Sequence, residues 1–179
     1  MAADKFVPHH KDELEKLLEL ASQAKSILEI GSRYGHTLNL MCRTTVKKMA
    51  VSVDLPGVFP WGEDSESELR KAVSGLRDDG YEVHLFIGDS RDENIIKSVR
   101  NLGPFDLVLI DGDHRFEGVK TDFENYGDLG KVVVFHDIIK PKDNERQELE
   151  VWRFWESITG NKEDFVGQNS KMGLGILRD

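Results

Sequence analysis

Ser26-Ile27-Leu28-Glu29-Ile30-Gly31-Ser32-Arg33-Tyr34-Gly35 is the stretch that decides the fold. Its apolar run is too short for a helix and stops on a turn residue, so residues 26–30 read as a buried strand. A second glycine stands four positions after Gly31, and residues 36–46 (Leu38, Leu40, Met41, Val46) are apolar nearly all round, as in a deeply packed helix. Glycine at the strand end lets backbone approach a ligand closely, and the helix N-terminus offers free N–H groups to an anion. A dinucleotide fingerprint would be Gly-x-Gly-x-x-Gly, but position 33 carries Arg where its middle glycine belongs.

Working outward, the same unit recurs. Upstream, Leu14, Leu17, Leu18, Ala21 and Ala24 predict an amphipathic helix over 10–24. Downstream, Met49–Val53 reads as a strand that stops at Asp54. An acidic helix start (Glu63, Asp64, Glu66) then leads to Leu69, Ala72, Val73 and Leu76. Val83–Gly88 is the third strand. Ser90-Arg-Asp-Glu93 reads as a capping box opening a helix that Gly103 stops. Phe105–Asp111 and Lys131–His136 are strands four and five, separated by a helix marked by Phe116, Val119, Phe123 and Tyr126. Asn144 and Gln147 are positioned to cap a helix carrying Leu149, Trp152, Trp155 and Ile158. Glu163–Gly167 and Gly173–Arg178 then read as a hairpin.

Five strands alternating with helices predict an α/β fold with a Rossmann-like, doubly wound parallel sheet and helices on both faces. The C-terminal antiparallel hairpin brings the sheet to seven strands. The expected layout is one domain over 1–179: a helix at 10–24, a ligand-binding core at 26–138, and a C-terminal helix and hairpin at 144–178.

A formal net charge of −9 disfavours nucleic acid as the main partner, because phosphate binding needs a basic surface. The single cysteine, Cys42, cannot form an internal disulfide, and its apolar neighbours mark it as a buried structural thiol. No apolar run approaches the ~20 residues of a membrane span, and the first residues do not resemble a signal peptide. The expectation is a cytoplasmic protein.

In doubly wound sheets ligands bind outside the carboxyl ends of the strands. The polar residues stand there. Glu29, Gly31, Ser32 and Gly35 form the first turn. Asp54, ending strand two, suits a ribose diol and would repel a 2′-phosphate. Asp89 and Ser90 follow strand three, where Asp89 can accept from an adenine amino group and Ser90 reads first as a cap. The strongest signal is Asp111-Gly-Asp-His114 after strand four, with His136-Asp137 after strand five. Three acids and two histidines at one sheet edge suit a cation, a proton, or both.

Residues 26–138 resemble the class I S-adenosylmethionine-dependent methyltransferases, in particular the subgroup acting on hydroxyls of sugars and related small molecules. The resemblance rests on Leu28-Glu-Ile-Gly-Ser-Arg-Tyr-Gly35, Ile87-Gly-Asp-Ser90, Ile110-Asp-Gly-Asp-His-Arg-Phe-Glu-Gly-Val-Lys-Thr-Asp122 and Phe135-His-Asp137, with Met172–Leu177 similar to the family's last strand. It implies a seven-stranded sheet, S-adenosylmethionine (AdoMet) bound by Glu29, Gly31, Ser32, Gly35, Asp54, Asp89, Ser90 and Asp111, and in several relatives a magnesium ion. The stretch 127–131 is shorter than the family's pattern and leaves little room for lid insertions, which a partner subunit in a homo-oligomer would supply.

A hydroxyl is a poor nucleophile at neutral pH unless a base or a metal lowers its pKa. Asp111 and Asp137 suit a hard divalent ion such as magnesium, with His136 or Asp113 as a further ligand. His114 is the candidate general base, and Asp111 also has a candidate role in orienting the methionine amino group. The reading is therefore O-methylation of a small-molecule or sugar hydroxyl. The alternatives are an NAD-dependent oxidoreductase and a non-catalytic nucleotide- or AdoMet-binding protein.

Overall fold

The computed structural model of the chain describes residues 10–44, 49–57, 65–142 and 148–178. The order is α1 (Lys11–Gln23), β1 (Ser26–Ile30), α2 (His36–Cys42), β2 (Met49–Asp54), α3 (Ser65–Asp78), β3 (Glu82–Ile87), α4 (Glu93–Arg100), β4 (Phe105–Ile110), α5 (Phe116–Tyr126), β5 (Gly130–His136), α6 (Val151–Ser157), β6 (Asn161–Phe165) and β7 (Leu174–Arg178). The seven strands form one sheet in the order β3-β2-β1-β4-β5-β7-β6. The first five run parallel, and β7 lies antiparallel between β5 and β6.

The near-continuous apolar character of the strands follows from burial on both faces. In β1, Leu28 and Ile30 point into a cluster with Val108, Ile110, Val133 and Phe135, covered by Val99 of α4, Val119 and Tyr126 of α5, and Phe154 of α6. Ile27, one residue out of phase, joins Leu107, Leu109 and Val134 under Leu17 and Ala21 of α1 and Met41 of α2. Cys42 is buried in a third cluster with Leu38, Ala50, Leu69 and Val73, as its apolar neighbours predict.

Two expectations about helices are corrected. Ser90 does not cap α4: Asp92 does, its side chain accepting from the N–H groups of Asn94 and Ile95. Asp92 immediately precedes the first helical residue, whereas the Ser90 hydroxyl donates to Asp122 Oδ1 at 2.6 Å. In the second case, α6 begins at Val151, and its buried residues are Val151, Phe154 and Trp155. The true stripe is shifted from the predicted one because Phe154 and Trp155 pack on Phe135, with ring centroids 6.0 and 5.5 Å away. Trp152 instead lies under Lys140 Nζ, 4.8 Å from its ring centroid. The proposed caps Asn144 and Gln147, Val46, and the helix-start acids Glu63 and Asp64 lie outside the described residues.

Candidate active site

The order of the sheet reverses between β1 and β4, and a crevice at such a point is where open α/β sheets bind ligands. Strand pairing continues one residue beyond the strands: Gly31 N–H donates to Val53 O (2.8 Å), Asp111 N–H to Ile30 O (2.9 Å) and Gly88 N–H to Asp54 O (2.9 Å). These bonds align the ends of β1, β2, β3 and β4 into one edge, so residues far apart in sequence meet.

At the β1–β2 corner the polar groups hold one another. Arg33 N–H donates to Asp54 Oδ1 (2.8 Å), joining the glycine turn to the end of β2. Ser52 Oγ donates to Ser32 Oγ (2.7 Å), and both serines are buried. Burial pushes the Asp54 carboxyl up, against the Arg33 hydrogen bond. Glu29 is fully buried. Burial pushes its carboxyl up to about 8, opposed by a hydrogen bond from Ser32 and assisted by the charges of Asp111 and Asp54.

The glycines of this corner have structural work. Gly31 has φ +92°, and a Cβ there would lie 2.2 Å from the Asp111 carbonyl oxygen. The backbone that approaches Gly31 so closely is thus the chain's own. Gly35 has φ +75°, and a Cβ there would lie 2.9 Å from Ala72 Cβ of α3, so Gly35 permits α2 to pack on α3.

After β3, Arg91 engages Asp89: its N–H and Nε both reach Oδ1 (2.9 and 2.8 Å) and its Nη2 reaches Oδ2 (2.7 Å). One lone pair at most stays open for an adenine amino group. Behind this turn lies a group that the sequence reading gave no role. Asp122 of α5 is buried, accepts from Ser90, and lies against Gly112. Tyr126 O–H donates to the Ser90 carbonyl at 2.6 Å.

At the β4–β5 corner charge is concentrated. His114 Nδ1 lies 2.8 Å from Asp137 Oδ2, and its Nε2 lies 3.5 Å from Asp111 Oδ1. His136 Nδ1 lies 3.2 Å from Asp111 Oδ1 and 3.8 Å from Asp137 Oδ2. Burial pulls both imidazoles down. The surrounding carboxylates outweigh it, through the Asp137 hydrogen bond for His114 and chiefly the Asp111 charge for His136, and both pKa values end raised. One ligand atom from each of Asp111, His136 and Asp137 falls within a 4.8 Å cluster. Asp137 has φ +63°, strained for a residue with a side chain, and its buried Oδ1 has no hydrogen-bond partner. Two carboxylates, an imidazole and an orphaned buried oxygen fit a divalent cation. Asp113 does not converge on them, because Arg115 holds its carboxylate through both oxygens.

The sequence reading missed Glu13. It is buried on α1, accepts from Gly173 N–H (2.9 Å) through Oε1, and places Oε2 3.8 Å from His136 Nε2. Burial pushes this carboxyl up, but the nearby His136 and Ser170 and the Gly173 hydrogen bond outweigh it and the pKa falls. Its signal was present: Glu13, Leu17 and Ala21 share the buried face of α1 at four-residue spacing.

Residues 28–138, more than half of the chain, match the family model described as "Methyltransferase domain". The chain belongs to this methyltransferase-domain family. The ribosomal RNA large subunit methyltransferase E of Treponema denticola is 28% identical over 110 residues, covering 62% of this chain and 48% of that protein. The chain therefore spans about half the length of the curated relative it matches. Among solved structures, an O-methyltransferase from Bacillus cereus in complex with SAH superposes with a TM-score of 0.69 at 18% identity, covering 94% of this chain and 80% of that one. The O-methyltransferase TomG from Streptomyces achromogenes, involved in tomaymycin synthesis and solved with SAM, gives a TM-score of 0.68 at 18% identity, covering 97% and 82%. These likenesses bear out the Rossmann-like methyltransferase fold.

Proposed function

We propose that the protein transfers a methyl group from AdoMet to a hydroxyl of a small molecule, such as a sugar, with a divalent metal, magnesium by its oxygen-rich donors, at the β4–β5 corner. The observation that carries this reading is the convergence of Asp111, His136 and Asp137 beside the glycine turn, with a buried carboxylate oxygen left unpartnered. The family match over 28–138 and the SAM- and SAH-bound relatives of the same fold support AdoMet as donor. The acidic net charge and the small-molecule pathway of TomG favour a small acceptor over the RNA of the Treponema relative. None of the described helices is long and apolar enough to cross a membrane.

Methyl transfer from a sulfonium is an in-line displacement, so the protein's work is alignment and activation of the acceptor. In this reading the β1–β4 crevice would take AdoMet: the Gly31–Gly35 turn would border it, Asp54 would accept from the ribose diol, Ser90 and Asp89 would serve the base, and Glu29 and Asp111 the methionine end. Asp111, Asp137 and His136 would hold the metal, which would lower the pKa of an acceptor hydroxyl. His114, partly exposed between Asp111 and Asp137, receives the acceptor's proton. The carboxylates of Asp137 and Asp111 raise its pKa, so the base role requires them to be engaged elsewhere.

The test is turnover on a working acceptor after chelation, with magnesium added back. Asp137→Ala is expected to lower the methylation rate about 100- to 1,000-fold while leaving AdoMet affinity nearly unchanged, and Asp111→Ala to harm both. Full activity in excess chelator ends the metal reading and leaves His114 as sole activator.

A further inference from the structure

We propose that Glu13, on the first helix and outside the segment that defines the family, is a positioning residue for the metal site: its carboxylate holds His136 so that Nδ1 faces Asp111 and Asp137. The inference rests on the metal reading above and concerns a residue that reading does not contain.

The argument begins with a misplaced charge. Position 13 lies on the buried face of α1, in line with Leu17 and Ala21, and Glu13 is 0% exposed. A carboxylate there loses its hydration, which costs several kcal/mol unless partners replace it. A leucine would continue the apolar stripe without that cost. Core packing therefore gives no reason for an acid at this position.

Its partners do. One oxygen is anchored by the Gly173 N–H (2.9 Å), just before β7. The other is directed at His136 Nε2, 3.8 Å away, within ion-pair reach. On the opposite edge of the same ring, Nδ1 lies 3.2 Å from Asp111 Oδ1 and 3.8 Å from Asp137 Oδ2. Glu13, His136 and the two aspartates thus form a line running from the core to the site. At 3.8 Å the contact is an ion pair, longer than a hydrogen bond; in metal centres a carboxylate set on one ring nitrogen orients the ring and leaves the other nitrogen to ligate. Removing that carboxylate typically weakens metal affinity 10- to 100-fold. The anchor on Gly173 explains why the acid can orient the ring: its own position is set by a backbone group and not by a mobile side chain. It also makes the site depend on both ends of the fold, α1 and the approach to β7.

The experiment measures Mn²⁺ binding to the full chain by electron paramagnetic resonance, beside AdoMet calorimetry and thermal melts, for wild type, Glu13→Gln and Glu13→Leu. The expected result is Mn²⁺ affinity lowered about 10-fold by Glu13→Gln and up to about 100-fold by Glu13→Leu. AdoMet affinity should stay within about twofold in both, and Glu13→Leu should melt below the wild type, because it leaves the Gly173 N–H and the buried His136 without their acidic partner. Glu13→Gln keeps an acceptor for Gly173, so it supports the test if the leucine variant fails to fold. Equal Mn²⁺ affinity in wild type and variants overturns the role of Glu13 and leaves the metal site standing. A wild-type protein that binds AdoMet but shows no saturable Mn²⁺ binding overturns the metal reading itself, and this proposal with it.

Discussion

The two corners of the carboxyl edge differ in how densely ionisable groups crowd together. At the β1–β2 corner most polar groups pair with one another, Asp54 with Arg33 N–H, Ser32 with Ser52 and Gly31 N–H with Val53 O, and the buried Glu29 keeps one oxygen, Oε2, without a hydrogen-bond partner. At the β4–β5 corner four ionisable groups crowd together, one of them on strained backbone, with a carboxylate oxygen left over. A corner whose polar groups mostly pair with backbone and with one another is a rigid cradle for a ligand of fixed shape. A corner crowded with ionisable groups is a place where an added cation or a moving proton changes the balance. The division matches the proposed chemistry, with the cofactor held on one side and the acceptor activated on the other.

The comparison breaks most completely at Gly31, where the corners touch. Gly31→Val is expected to abolish folding, with a loss on the order of 4 kcal/mol or more, because the new Cβ meets the Asp111 carbonyl oxygen and φ is positive. This corrects the expectation from sequence, in which the glycine chiefly made room for a ligand. A melting curve beside an AdoMet isotherm decides it. A variant that melts like wild type but does not bind would restore the ligand reading.

Next in size is Asp122, which supports the β4 side from behind. Burial raises its carboxyl from 3.8 to about 6, against the hydrogen bond from Ser90. An acid raised in the folded state binds its proton more tightly there than in the unfolded chain. Its contribution to stability is therefore full below about 3.8 and is lost as the pH rises through about 6. Asp122→Asn, which keeps an acceptor for Ser90 and cannot ionise, should gain on the wild type across that window, by up to roughly 3 kcal/mol at pH 7. Melting temperatures that run parallel with pH in the two proteins would contradict the assignment.

The smallest effect is expected at the β1–β2 corner. Asp54→Ala should weaken AdoMet binding by about 1.5–3 kcal/mol, through lost charge-assisted hydrogen bonds to the ribose. It should cost little stability beyond freeing the Arg33 N–H. Unchanged affinity by calorimetry would move the ribose away from β2.

Much of this was legible in the chain. Alternating apolar runs and glycine stops specify the strands, and acids at strand ends mark the edge of the candidate site. Asp111, His136 and Asp137 were legible for a physical reason: a residue one step past a buried parallel strand has its position set by the ladder. The misses share a different cause. Glu13 and Asp122 are single acids on the buried stripes of helices, Glu13 in line with Leu17 and Ala21, Asp122 between Val119 and Tyr126. Periodicity shows which face they occupy, but it cannot tell a buried acid with a partner from a solvated one at the stripe's margin. Ser90 failed as a cap because Asp92 competes for the same helix and Asp122 competes for its hydroxyl.

By itself, then, the sequence determined the order of elements, the doubly wound sheet, the edge that carries the candidate site and the motifs by which the chain resembles its family. These follow from local propensity, hydrophobic period and short motifs, which are properties of neighbouring residues. Only the tertiary structure decided that Gly31 yields to Asp111 backbone, that Arg91 claims Asp89, and that His114 and His136 lie between Asp111 and Asp137 with Glu13 behind them. Those facts depend on distances between elements up to 123 positions apart, as from His136 to Glu13. Such distances are set by how helices pack on the sheet and by which strand lies beside which.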